Sequence, residues 1–404
     1  MKFSLCKKSD FFQIFHVLGW AFYLACSWTW CIGMFLPALL IRDYGAWGWA
    51  VFVIPNILGA SGMAYILRKQ DISKEIAEKH KTACIAFSVV TILFQIYFIG
   101  WISMLVPSTF IMTSGILLLI IYILGSTFDK NYLFSAFIIW ILSLICFILA
   151  LNIVPIEKFD LFKGGNLIHN TNALLYLTPI CFFGFLLCPY LDLTFHKARQ
   201  SNTSLNSKIA FTIGFCFMFL LMMIFTFFYS RPMASAIEGA PYFLRDEKLL
   251  PLIYIYIVVF HMFIQAGFTT ILHFRSILPT LKRHKETHLL LLTLSILFFL
   301  LPITFNEKYT FLDLSANEII YRSFMAFYSL IAPLYVFLFM IPKKENNKNI
   351  SLNKHNLRIW ILAILLALPF YATGFLCVKW NLEFLSLLGL VIVLFSRVPQ
   401  TDKQ

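Results

Sequence analysis

Ionisable and amide side chains are scarce inside the long apolar stretches of this 404-residue chain, so each one found there marks a place where chemistry is possible. Asp192 and His196 stand four apart in the sixth stretch and share a helical face, which predicts an inner-gate or proton-linked pair, or else an interfacial cap. Arg42 and Asp43 close the first stretch, and Glu318 and Arg322 open the tenth. The third stretch offers Gln95, Tyr97 and Trp101, and the eighth offers His261 and Gln265; the two amides are expected to bond between helices. The eighth also carries Ala266, Thr269 and Thr270, whose i, i+3, i+4 spacing puts one carbonyl and two hydroxyls on a single face. Neutral oxygens of that kind suit a hard cation, although Thr in a membrane also bonds its own helix backbone. Stretches two to five hold no Asp, Glu, Lys, Arg or His in their apolar cores. A ligand there is expected to be neutral, zwitterionic or apolar, held by backbone dipoles and aromatic rings.

The same scarcity argues against an enzyme. Asp192, His196, His261 and His273 are the only raw material, and no nucleophile, base and orienter fall together. A membrane-embedded lipid-linked transferase is the main alternative, and a non-transporting sensor the second. The nine Cys form no CxxC pair and no cluster with His at metal-binding spacing, so they read as small packed hydrophobes.

Composition dictates what positions these groups. Hydrophobic residues make up 60% of the chain and charged ones 13%, against about 45–50% and about 25% in a soluble domain. This predicts an all-α membrane protein, with residues 1–404 forming one polytopic membrane domain. Twelve transmembrane stretches are read at 11–41, 47–67, 83–105, 109–127, 132–154, 172–195, 208–229, 251–274, 287–305, 321–342, 357–378 and 383–397. Lys7 and Lys8 ahead of the first stretch imitate a signal peptide, but the apolar run continues from Phe11 to Ile41. A straight helix of that length measures about 46 Å against a hydrocarbon core of about 30 Å, and Gly33 and Pro37 lie inside it, so a break is expected. With both termini cytoplasmic, and 68–82 and 343–358 inside, 23 of the 32 Lys and Arg residues fall on the inner side. The formal charge of +13 is therefore orientation information for a lipid bilayer and not a nucleic-acid footprint. A bacterial inner (plasma) membrane suits this pattern. Nothing in the sequence sets an oligomeric state.

Two stretches contain the same interruption: Ile32-Gly33-Met34-Phe35-Leu36-Pro37-Ala38-Leu39 in the first and Phe183-Gly184-Phe185-Leu186-Leu187-Cys188-Pro189-Tyr190-Leu191 in the sixth. Gly and Pro weaken a helix, so unwound backbone is expected at Ile32–Leu36 and Phe182–Leu187. The interruptions lie five stretches apart. An odd number of spans per repeat inverts the second copy, giving two five-helix units, 11–154 and 172–342, followed by two extra helices over 357–397. Paired interruptions of this sort point to a solute site at the membrane midplane.

On span count, orientation, paired breaks and the short Ala266–Thr270 motif, the chain resembles LeuT-type transporters of the amino acid–polyamine–organocation superfamily, sodium:solute symporters included. The resemblance covers roughly 11–342. It implies secondary active transport of a small neutral or zwitterionic, amino-acid-like solute by alternating access, with Na+ as coupling ion. The implied solute site comprises Ile32, Gly33, Met34, Phe35, Gln95, Tyr97, Phe182, Phe183, Gly184 and Gln265. The implied sodium shell comprises Ala266, Thr269 and Thr270 with carbonyls near Trp30 and Gly33. Gates are implied at Asp192 and His196, and in an outer salt bridge made by Asp43–Arg322 or Arg42–Glu318. Members of this family also place a helical lid in the segment matching 230–250, where an ordinary loop is equally expected.

Overall fold

The computed structural model describes residues 8–106, 113–115, 117, 131–153, 171–237, 244–245, 248–249, 252–305, 310–312, 314–341, 352–377 and 380–398. In chain order the helices are α1 Lys8–Trp28, α2 Cys31–Tyr44, α3 Trp47–Ile66, α4 Gln70–Lys79, α5 Lys81–Ser103, α6 Tyr132–Ile153 and α7 Leu174–Leu187. After them come α8 Leu193–Gln200, α9 Ser204–Met233, α10 Leu252–Arg283, α11 Lys285–Phe305, α12 Ala316–Met340, α13 Lys354–Leu376 and α14 Leu385–Phe395. Among the described residues nine helices are long and apolar enough to cross a membrane, or ten if the bent pair α1–α2 forms one span. That falls short of twelve. The fourth expected span, 109–127, lies almost wholly outside the described residues, and α14 has only 11 residues where 383–397 was expected to span.

The break in the first span lies at Thr29–Trp30, not within Ile32–Leu36, and bends the chain by 55°. Side-chain bonds from hydroxyls and an indole accompany it. Ser27 Oγ bonds the Leu24 carbonyl at 3.0 Å, Thr29 Oγ1 bonds the Ala25 carbonyl at 2.8 Å, and Trp30 Nε1 donates to the Ser27 carbonyl. Such local bonds compete with helix continuation. Trp30 is extended (φ −85°, ψ 177°), and α2 restarts after it and runs helically through Gly33 and Pro37. Pro37 has no N–H, so the Gly33 carbonyl lacks its helical donor although the helix persists.

In the sixth span Phe182–Leu187 is likewise helical. The irregularity comes later, as a tight turn of 3₁₀ helix over Cys188–Leu191 and an extended Asp192 (φ −81°, ψ 111°) that caps α8. Pro189 cannot donate to the Phe185 carbonyl, which loosens this turn.

Within their most apolar stretches α5 and α10 are 72% buried, whereas α11 is 17% buried, so the first pair is central and the second peripheral. α5 packs on α10 and α11, α2 on α9, α3 on α7, and α1 on α6. Close backbone approach depends on glycine. A Cβ at Gly59 would overlap the backbone of Phe185 and Leu186, and one at Gly214 would press on the Ala21 carbonyl. Outside the spans, α4 lies against α8: Gln70 Nε2 donates to the Gln200 and Asn202 carbonyls, and buried Arg199 ties the Leu67 and Arg68 carbonyls. In the 230–250 segment the described residues hold the end of the helix that continues α9 and two short antiparallel strands, Leu244–Arg245 and Lys248–Leu249.

Candidate functional site

Four helices hold the Thr29–Trp30 joint. From α5, Gln95 Oε1 accepts the Cys31 N–H at 3.3 Å. From α12, Tyr321 OH donates to the Cys31 carbonyl at 3.1 Å. From α9, Tyr229 OH donates to the Met34 carbonyl at 2.8 Å. From α10, Thr269 Oγ1 meets the Cys26 carbonyl at 3.1 Å, one turn before the joint. These groups are buried, so the Cys31 N–H and the Cys26 carbonyl beside the bend are paired by side chains of neighbouring helices, as membrane burial demands. The Trp30 ring lies in an aromatic cage against Trp28, Phe87, His273 and Tyr328, with centroids 4.5–5.6 Å away. Tyr328 is fixed by its hydroxyl on Thr91 Oγ1 at 3.0 Å.

The predicted solute residues divide. Ile32 and Gly33 line a narrow crevice at the joint with Trp30, Asn56, Phe185 and Cys188. Met34 offers its carbonyl to Tyr229, and Phe35 packs between Trp101 and Tyr321, each 5.0 Å away. Gln95 is at the joint. Gln265 stands behind it, donating to Ser143 Oγ on α6 at 2.8 Å. Tyr97 turns away to the Asn317 carbonyl at 2.9 Å, because residues two apart on a helix face different ways. Phe183 packs on Phe337 at 5.6 Å, on the α12 side, and neither it nor Phe182 lines the crevice; Phe185 and Cys188 do so instead. Gly184 meets the Tyr328 backbone.

The predicted cation group is also shifted. Ala266, Thr269 and Thr270 lie on one face, with Thr270 Oγ1 on the Ala266 carbonyl at 2.8 Å and Thr269 Oγ1 also on the Gln265 carbonyl at 3.0 Å. The first-helix carbonyl they reach belongs to Cys26. The Trp30 carbonyl is taken by the Met34 N–H at 2.8 Å, and Gly33 lies a further turn along in α2. Among the described residues no group of three or more His, Cys, Asp or Glu side chains is placed to hold a metal. A carbonyl and hydroxyl set is the arrangement present, with the Thr269 and Thr270 hydroxyls bonded to backbone carbonyls.

Of the gate residues, four form one buried network. Arg42 makes a two-pronged contact with Glu318 at 2.9 and 2.6 Å and also bonds Asp43; Arg322 bonds Asp43 and, at 2.8 Å, Glu318. Both expected bridges exist together. Asp192 and His196 do not form a side-chain pair. Asp192 Oδ1 accepts from the Thr194 N–H and hydroxyl, each at 2.7 Å, while Oδ2 lies 3.8 Å from His273 Nε2. His196 bonds Ser73 Oγ on α4 at 2.8 Å and the Tyr190 carbonyl at 2.9 Å. Burial pushes the His196 imidazole down to about 4, so it is neutral at pH 7. Burial, assisted by the charge of Lys79, brings His80 down to about 4 as well, where it meets Tyr335 OH at 3.0 Å.

Sequence reasoning missed Asn56, Tyr229, Tyr321 and Tyr328. Asn56 and Tyr328 sit mid-helix in apolar runs, and Tyr229 and Tyr321 lie near helix ends; in neither place does spacing signal that a hydroxyl or amide points at a break in another helix. No family model matches this sequence, and no curated protein matches it.

Proposed function

We propose that the protein is a secondary active transporter of LeuT type, moving a small neutral or zwitterionic, amino-acid-like solute by alternating access with sodium as co-transported ion. The observation that carries this reading is the Thr29–Trp30 joint, a broken transmembrane helix clasped by α5, α9, α10 and α12. Irregular backbone at membrane depth is the form that solute and ion sites of secondary transporters take. The packing supports an inverted five-helix repeat. A shift of five spans exchanges the α3–α7 contact with the contact of α9 on the first span, where α9 packs on α2 and its Gly214 approaches the Ala21 carbonyl of α1. The joint supplies backbone dipoles and aromatic rings and carries no charged side chain, which favours a solute without net charge.

In this reading sodium is held by the Thr269 and Thr270 hydroxyls and the Ala266 carbonyl, joined by the Cys26 carbonyl from α1. The Arg42–Asp43–Glu318–Arg322 network closes the outer side, and the docking of α4 on α8 closes the inner side. Lys and Arg placement supports cytoplasmic termini; the reading places the protein in a bacterial inner membrane.

The test is thermal unfolding of the purified protein in sodium against potassium. At a hundred times its dissociation constant, sodium should stabilise wild type by about 2.7 kcal/mol. Thr269→Ala with Thr270→Ala should remove that gain and leave a folded protein. A sodium gain that survives the double substitution refutes the ion site; no gain in wild type refutes sodium coupling.

A further inference from the structure

The crevice at the joint has a volume of only about 10 Å³, room for about one water. A solute whose polar group reaches the joint must therefore place its bulk elsewhere. The place is adjacent. A cavity of about 740 Å³ lies between α7, α12 and α13, inside the range of about 300–1,000 Å³ common to small-molecule sites. Phe185 and Tyr328 line both spaces, so the cavity adjoins the joint and those two side chains stand between them. Its surface is hydrocarbon over most of its extent, from Leu177 and Ile180 on α7, Phe324 and Phe327 on α12 and Leu368 on α13. The Arg322 guanidinium in its wall is occupied by Glu318, Asp43 and the Phe375 carbonyl, so it offers no free charge. Tyr371 differs. It is 5% exposed, it stands in the cavity wall, and its buried hydroxyl has no hydrogen-bond partner among the described residues. A buried donor without a protein partner is one that a bound molecule can satisfy.

Resting on the transporter reading, we infer that the solute carries a large apolar group seated in this cavity, with an acceptor oxygen along it that takes the Tyr371 hydroxyl. The substrate class is an amphipathic amino-acid-like compound and not a small polar one. The alternative occupant, the acyl tail of a bilayer lipid, is separated by the test.

The probes are straight-chain 2-amino acids from alanine to 2-aminodecanoic acid, with ether analogues in which one methylene is replaced by oxygen at successive positions. Binding is read by thermal shift in sodium and in potassium. Affinity in sodium should rise about fourfold per methylene until the cavity is full. One ether position should bind more tightly than its neighbours, and Tyr371→Phe should erase that preference while keeping the chain-length slope. Ala372→Trp, which intrudes on the cavity, should shorten the chain length at which affinity stops rising; its sodium-evoked shift reports that it still folds. A flat chain-length series beside an intact sodium shift overturns the inference and leaves the transporter reading standing. A slope equal in sodium and potassium makes the cavity a lipid-tail chamber and also overturns it. Absence of any sodium shift removes both.

Discussion

Removing Arg322 is the sharpest perturbation of the charge network. Two guanidiniums and two carboxylates balance there, with Asp43 fully buried and Arg322 and Glu318 each 2% exposed. Arg322→Gln leaves Asp43 and Glu318 to share Arg42 alone, one uncompensated negative charge in a site that water does not reach. Breaking a buried pair on one side costs about 3–5 kcal/mol, and Asp43→Asn should cost a similar amount by stranding a positive charge. The double variant Asp43→Asn with Arg322→Gln keeps the two-pronged Arg42–Glu318 contact and is neutral. It should recover a coupling of about 2–3 kcal/mol relative to the sum of the singles. The assay is a double-mutant cycle on thermal unfolding in micelles, followed by tryptophan fluorescence. Additivity within about 0.5 kcal/mol would refute the reasoning, because it would mean that the four groups are solvated and independent.

Three further outcomes are expected. The neutral form of His196 is favoured by burial, so its contribution is complete above the ordinary histidine value near 6.5 and is lost as pH falls from there through about 4. The loss amounts to about 3 kcal/mol; the protection factors of α4 amides, corrected for intrinsic exchange, should fall between pH 7 and pH 5, and His196→Gln should remove that fall. Gly59→Val should destabilise the protein by about 1–3 kcal/mol by forcing α3 off the α7 backbone, while Gly62→Ala, which faces open space, should melt like wild type. Lys74→Cys in α4 should react with a membrane-impermeant thiol reagent only from the cytoplasmic side; reaction from outside in intact cells inverts the topology.

The membrane class and most spans were legible because an apolar run long enough to cross a bilayer has few other uses. The position of the first break was not. Gly33 and Pro37 attracted the expectation, yet a proline well inside a helix costs it only one bond. Ser27, Thr29 and Trp30, whose side chains bond carbonyls of the last α1 turns, carry no composition signal in an aromatic-rich run. The pairing of Asp192 with His196 assumed one continuous helix, whereas Asp192 is the cap on which α8 starts, so it turns towards His273. The charges at the end of the first span and the start of the tenth were legible as residues because ions closing two spans have few partners, and the fold brought all four together. The Thr269–Thr270 face was also legible. Which α1 carbonyl it meets depended on where the helix broke, and so moved with that error from Trp30 and Gly33 to Cys26.

Coupled movement of sodium at the broken helix is the claim on which the account depends, and charge displacement on a solid-supported membrane tests it most directly. A sodium concentration jump on reconstituted vesicles should displace charge even before solute is added, because the ion enters a site at membrane depth. Addition of the coupled solute should convert the transient into a sustained current. Thr269→Ala with Thr270→Ala should suppress both. No sodium-evoked displacement in wild type, or an equal one in the double variant, would contradict the account.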